Sequence, residues 1–295
     1  MNYRPRRTML YVPNHVSKYM EKARGIEADS IIFDLQESVP PEYKIQAREL
    51  LVKAFEESSK FGHSEKVVRI NSLQSPWGMD DLKAIAKLDI DAVLLPRIES
   101  AAELLNAIQA IDESRDDKLS IMINIESPLG VLNAKEICSA SDRLKAIVMG
   151  TTDLANELKI TPTYDRAGLL TSLSLVMLAA RAFKKCVIDG PHFDLKNVEA
   201  CEFSCRQARD LGFDGKAVVH PVQLDYTNDA FTPKQKDIQR AKDVIAAIEQ
   251  ANLDGRNVAV IEDRLIEPSL KEWAERVISL YNRVKDLGQN ELIGS

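Results

Sequence analysis

Two acidic residues stand where carboxylates could do chemistry. Glu126 closes the apolar run SIMINIES (residues 120–127), and Asp153 closes AIVMGTTDL (residues 146–154). If these runs are adjacent strands, about 4.8 Å apart, both carboxylates face one pocket. They then repel each other unless a proton or a cation intervenes. An all-oxygen pair with room for waters suits Mg²⁺ or Mn²⁺ better than zinc. The same pattern permits a structural reading, in which each carboxylate pairs with an arginine or caps the following helix. Asp153 precedes LANEL, a sequence that a capping residue would suit. Pattern alone leaves both readings open.

Arg69 lies inside the run VVRIN (residues 67–71), where a charge is costly unless paired. Strand alternation points it into a pocket mouth, where its guanidinium could clamp a carboxylate or oxyanion. It could equally bridge Asp34 or Glu37. Other polar residues close similar runs: Gln36, Asn71, Arg97, Glu99, Asp189 and His220. For Asp189 and His220 the pocket and structural roles stand level. Lys66 and Lys216 precede their runs and belong at the opposite rim, which disfavours a Schiff-base aldolase. The histidines His15, His63, His192 and His220 show no HxxxH or HExxH spacing, which disfavours zinc. Cys138, Cys186, Cys201 and Cys205 form no CxxC pair and read as small apolar residues of a reducing compartment.

The elements that must position these groups recur along the chain. Eight short, nearly continuous apolar runs fall at residues 7–13, 30–36, 66–72, 92–98, 120–127, 146–154, 186–192 and 215–221. Such runs are expected of strands buried on both faces. Helix-period segments lie between them, as at 101–111 and 169–183. Eight β–α repeats predict an α/β fold, a (β/α)₈ barrel over residues 1–230. An open dinucleotide-binding sheet would carry glycines after its first strand, where this chain reads VPNHVSK. Past the eighth run come a Thr-Pro helix start at 232–248, a turn at 253–255, an apolar run at 257–261 and a helix over 268–284. This C-terminal extension, residues 231–295, reads as a helical lid or oligomer arm.

The chain has 295 residues, with 39 basic and 45 acidic side chains and a net charge of −6. That balance gives no basic stripe for nucleic acid. The opening MNYRPRRTML lacks the apolar core of a signal peptide, and no 18-residue apolar run could span a membrane. A cytoplasmic enzyme is expected.

The blocks RRTMLYVP, FDLQESVPPEYK, VRINS with PWGMDDL, LLPRIES, IESPLGVLNA, GTTDLANEL, LGFDGKAVVHPVQL and RLIEPSLKEWAERV resemble the citrate lyase beta-subunit-like family. This group includes malyl-CoA and citramalyl-CoA lyases of the HpcH/HpaI aldolase superfamily, and the similarity runs from residue 6 to about 280. The resemblance implies a (β/α)₈ barrel, Mg²⁺, and reversible cleavage of a 3-hydroxyacyl-CoA thioester to an acyl-CoA and a 2-oxo acid such as glyoxylate or pyruvate. It implies Glu126 and Asp153 as metal ligands and Arg69 as the contact to the 2-oxo acid. It also implies an acid donated by the C-terminal segment of a neighbouring subunit, which falls on Glu267, and hence a homo-oligomer, a trimer or hexamer. Coenzyme A phosphates then suggest roles for Arg6, Lys18, Lys22 and Arg24, although a solvated basic face explains these as well.

The chain departs from the family pattern in three places. DLED reads Asp34-Leu35-Gln36-Glu37, Pro-Gly reads Pro13-Asn14, and Gly-Lys-Met reads Asp263-Arg264-Leu265. Other readings are a citrate lyase beta subunit acting on a carrier-bound citryl thioester to give oxaloacetate, an aldolase for free hydroxy acids, and an altered barrel that only binds.

Overall fold

A computed structural model describes residues 4–57, 61–115, 117–256, 258–261, 264–267 and 269–286. Eight parallel strands close in sequence order into a barrel: β1 Thr8–Pro13, β2 Ser30–Asp34, β3 Glu65–Arg69, β4 Ala92–Leu95, β5 Ser120–Ile125, β6 Leu144–Met149, β7 Cys186–Asp189 and β8 Gly215–Val218. The eight expected runs are these eight strands. The first run ends with its strand at Pro13, and the other seven extend two to five residues past theirs, because the chain leaves the sheet there to build the mouth.

Helices follow the strands: α1 Ser17–Ala23, α2 Lys44–Glu57, α3 Gly78–Ile85, α4 Ala101–Ser114, α5 Pro128–Leu132, α6 Ala134–Ser139, α7 Thr151–Glu157, α8 Leu170–Ala182, α9 Val198–Leu211 and α10 Leu224–Phe231. Two of them start as their sequences dictate. Ser100 caps α4 by accepting from the Glu103 N–H at 3.2 Å. Ser127 caps α5 by accepting from the Gly130 N–H at 3.1 Å, with Pro128 at the first helical position.

Every second strand residue fills the barrel interior: Met9, Ile32, Val67, Ala92, Leu94, Met122, Ala146, Val148, Ile188 and Ala217, with Tyr11 and Cys186 packed against them. This alternation decides what reaches the mouth. Asp34, Arg69 and Asn124 continue the inward series of β2, β3 and β5. The opposite end is plugged by charge. Arg6 donates to both oxygens of Glu65 at 2.6 Å, and Ser30 donates to the same carboxylate at 2.8 Å.

Contacts divide the chain into two compact units, one of them residues 6–230 with the barrel. The other holds α11 Gln235–Leu253, α12 Ser269–Asp286 and an antiparallel hairpin of β9 Ala259–Ile261 and β10 Arg264–Ile266. Ile238, Ala241 and Val244 of α11 pack with Ala274 and Val277 of α12, and Ile261, Ile266 and Trp273 join them. The expected apolar run and last helix are β9 and α12. Asn257, Asp263 and Pro268 lie outside the described residues.

Candidate active site

Glu126 sits between the end of β5 and the Ser127 cap, held in neither regular element. Strand register brings it beside the end of β6: Ile125 pairs with Met149, and the Gly150 N–H donates to the Ile125 carbonyl at 2.9 Å. The Gly150 backbone lies flush against the Glu126 side chain. A Cβ there would fall 2.2 Å from Glu126 Cβ and 2.5 Å from Oε2, so glycine is the residue that lets the two strand ends close. Asp153 occupies the first turn of α7, where the helix dipole favours an anion. No side chain caps that helix, so the capping role is not realised.

Among the described residues neither carboxylate has a side-chain hydrogen bond or ion pair. Glu126 is nonetheless only 7% exposed. Burial pushes its carboxyl up, Asp153 and Glu37 push it further, and Arg69 opposes them, leaving it at about 7. Burial and the Asp153 charge likewise raise Glu37. The charges of Glu126, Glu37 and Asp153 thus act on one another at one mouth.

Arg69 does not supply that charge freely. Asp34 and Arg69 are register partners, and the Arg69 Nε and Nη2 groups each donate to Asp34 at 2.7 Å. Asp34 also accepts from the Gln36 N–H at 2.9 Å, the Ser38 N–H at 3.0 Å and the Ser38 hydroxyl at 2.5 Å. Burial opposes the Asp34 charge, but Arg69 and these donors outweigh it and hold the carboxyl below its ordinary range. The structural bridge to Asp34 is therefore real. It leaves the Nη1 side of Arg69 facing Glu37 at 3.7 Å.

Lys44, which sequence inspection passed over, supports this rim from behind. Its Nζ donates to the Leu35 carbonyl at 3.0 Å, to Asn71 Oδ1 at 2.8 Å, and to the Gln36 carbonyl. The loop carrying Gln36 and Glu37 is thus fixed from both sides. Arg97, with a positive φ of 47°, pairs with Glu99 at 3.2 Å and with Glu157 of α7 at 2.5 Å.

Several expected site residues lie elsewhere. Arg6 belongs to the plug at the N-terminal end of the barrel, where Glu65 takes its guanidinium, so it does not reach the mouth. Arg24 is spent on structure: it donates to the Ala54 carbonyl at 2.8 Å and lies over the Phe61 ring at 4.7 Å. Lys18 and Lys22 are exposed on α1. Lys216 is the second residue of β8, beside Thr8 at the start of β1. It is buried in β8, pointing away from the interior series, and donates to Asp189 at 2.5 Å and to the Gly190 carbonyl at 2.6 Å. Asp189 also accepts from Arg166 at 2.8 and 2.9 Å, which makes it structural. His220 caps a single turn by accepting from the Val222 N–H at 3.2 Å. Glu267 lies in the second unit, exposed just after β10. All four cysteines are free.

A closed parallel barrel with its acidic residues at the strand ends defines the class, and sequence comparison gives the family. The model of the HpcH/HpaI aldolase/citrate lyase family matches residues 7–221, and the chain belongs to that family. It is 40% identical over 263 residues to a (3S)-malyl-CoA thioesterase of Cereibacter sphaeroides, covering 89% of this chain and 90% of that protein. It is 34% identical over 287 residues to the citrate lyase subunit beta of Leuconostoc mesenteroides subsp. cremoris, covering 95% of each. The CitE protein of Mycobacterium tuberculosis, solved with magnesium, acetoacetate and coenzyme A, matches with a TM-score of 0.75 at 26% identity, over 94% of this chain and 98% of that one. The citrate lyase beta subunit of M. tuberculosis with oxaloacetate and magnesium matches with a TM-score of 0.68 at 28% identity, over 79% and 100%.

Proposed function

We propose that this chain is a Mg²⁺-dependent carbon–carbon lyase. It reversibly cleaves a malyl-CoA- or citramalyl-CoA-type thioester into acetyl-CoA or a related acyl-CoA and a 2-oxo acid, glyoxylate or pyruvate. The observation that carries this reading is the unpartnered pair Glu126 and Asp153 beside an arginine whose fork is already engaged. The residues present fit a hard divalent ion. Glu126 follows β5 and Asp153 lies in the first turn of the helix after the neighbouring β6, and burial together with the charges of Asp153 and Glu37 raises the Glu126 carboxyl, a setting that a cation relieves. Glu126 and Asp153 would hold it, with waters completing the shell. When bound, Mg²⁺ polarises substrate oxygens as a Lewis acid. The magnesium and coenzyme A of the M. tuberculosis CitE complex support both components.

Arg69 cannot offer its Nε–Nη2 fork to substrate, because Asp34 holds it. It therefore meets the 2-oxo acid through its Nη1 side, by charge-assisted hydrogen bonds. Cleavage turns the 3-hydroxyl into a carbonyl, and its proton passes to the carboxylate group at the mouth. The electron pair of the broken bond stays on the carbon next to the thioester. Glu267 of a neighbouring subunit, brought over the mouth as part of a lid, protonates that carbon. This step calls for a trimer or hexamer. Lys18 and Lys22 take coenzyme A phosphates. Four free cysteines suit a reducing, cytoplasmic compartment.

A second reading has its own support. The relative at 40% identity is named a thioesterase, so the same site could instead hydrolyse the thioester. A carrier-bound citryl substrate, suggested by the 34% relative, is a variant of the lyase reading. The deciding experiment incubates the protein and Mg²⁺ with a panel of hydroxyacyl-CoA thioesters and follows two products. A lyase releases 2-oxo acid and no free thiol. A thioesterase releases free thiol and hydroxy acid. Release of neither product from any thioester, carrier-bound citryl included, means that the barrel only binds.

A further inference from the structure

Arg69 has a third neighbour besides Asp34 and Glu37. Its guanidinium carbon stands 4.5 Å from the centre of the Tyr11 ring, within cation–π range. Tyr11 is an inward residue of β1 packed on the barrel core, and it is partly open to solvent. The Tyr11 hydroxyl lies beside Asn124, the inward residue of β5 two positions before Glu126. Asn124 is 2% exposed, its Nδ2 donates to the Val148 carbonyl at 3.4 Å, and among the described residues its Oδ1 has no hydrogen-bond partner. Tyr11 thus joins the strand that carries the arginine to the strand that carries the buried carboxylate.

The two restraints on Arg69 act in different directions. The Asp34 fork fixes the guanidinium within its own plane. It leaves the plane free to tilt about the Nε–Nη2 edge, and that tilt decides whether Nη1 points into the mouth. A ring face against the guanidinium removes the tilt. Burial alone would not, since an aliphatic side chain of similar size offers no preferred orientation to a cation.

We propose that Tyr11 is a positioning residue: its ring face holds Arg69 flat so that the Nη1 side is presented to the carboxylate of a 2-oxo acid. The assignment rests on the reading of Arg69 given above. It makes the ring essential and the hydroxyl secondary, so Tyr11→Phe and Tyr11→Leu separate the two.

The test has two arms. The first is independent of catalysis. In guanidinium-detected NMR of the full chain, the Arg69 Nε–H of the wild type is expected to be shifted upfield by the ring. The shift is retained in Tyr11→Phe and lost in Tyr11→Leu. The second is calorimetric titration of Mg²⁺ and then of pyruvate, glyoxylate or oxaloacetate. Tyr11→Phe should keep 2-oxo acid affinity within about twofold. Tyr11→Leu should lose about tenfold while Mg²⁺ affinity stays unchanged, since neither carboxylate is touched. An unshifted Arg69 signal in the wild type, or one that survives in Tyr11→Leu, overturns the proposal. So does 2-oxo acid binding by Tyr11→Leu equal to wild type, or binding by Tyr11→Phe as weak as that of Tyr11→Leu. If the wild type binds no 2-oxo acid but the NMR arm behaves as expected, the positioning of Arg69 stands and the assigned substrate class falls.

Discussion

Gly150 and Glu126 are packed so tightly that the space for one methyl group does not exist between them. A Cβ on Gly150 would meet the Glu126 side chain at 2.2 Å. The Gly150→Ala variant is therefore expected to fold with Glu126 pushed off its position. Mg²⁺ affinity should fall at least about tenfold, the scale seen when groups supporting a ligand are lost. Gly25→Ala is the control, because nothing among the described residues lies within 4 Å of a Cβ there. Titration calorimetry on both variants checks this, and equal Mg²⁺ affinities would refute the packing argument.

The two carboxylates should behave as a metal pair and not as a structural one. Glu126→Gln and Asp153→Asn are each expected to lower Mg²⁺-dependent turnover by more than about a hundredfold. Chelation should do the same to the wild type, reversed by added Mg²⁺. Stability of the metal-free protein should be unchanged or slightly raised, since each substitution relieves repulsion. A marked drop in melting temperature for either variant would instead indicate a structural role.

Arg6 and the lysines of α1 should separate cleanly. Arg6→Ala removes the guanidinium from the buried Glu65 pair in the barrel plug, at a cost of about 3 kcal/mol, and should leave coenzyme A affinity untouched in whatever fraction stays folded. The Lys18→Ala/Lys22→Ala double variant should leave stability within about 0.5 kcal/mol and weaken coenzyme A binding. Denaturant unfolding and coenzyme A titration on both variants decide. An unchanged affinity in the double variant means that α1 is a solvated basic face.

Asp189 gives the pH dependence a definite sign. Burial opposes its charge, yet Lys216 and Arg166 prevail and hold the carboxyl below its ordinary value. Its ion pairs therefore contribute fully above the unfolded-state value of about 3.9, and the contribution is lost as pH falls through the depressed folded value. Asp189→Asn should cost about 3–5 kcal/mol at neutral pH and flatten the acid limb of a stability–pH curve. An acid limb of unaltered steepness would contradict this.

The barrel was legible because both-face burial leaves eight unmistakable apolar runs. The position of Glu126 was legible too, since the apolar run SIMINI is followed by a carboxylate and then by Ser127-Pro128, a helix start that stops the strand. What escaped reading depends on reach and register. Lys44 comes from a helix ten residues past β2, and nothing local says that its ammonium returns to Leu35 and Gln36. Arg6 sits next to the first strand, but only the pairing of β1, β2 and β3 shows that Glu65 waits for it. Lys216 comes second in its strand, and only the neighbouring strand, which supplies Asp189, shows that its ammonium is buried and paired. Tyr11 did carry a signal: it shares the inward parity of Met9, as Asn124 shares that of Glu126.

Asp34 is saturated by donors from Arg69, Gln36 and Ser38, and Lys44 pins the carbonyls of the next two residues. The turn after β2 is in this sense a fixed socket. The Gln36 and Glu37 side chains ride on it, while the main chain of Gln36 takes part in fixing it. Exchange of these two side chains can therefore retune the chemistry of the mouth while the main chain keeps its course. Such exchanges carry little risk to the fold.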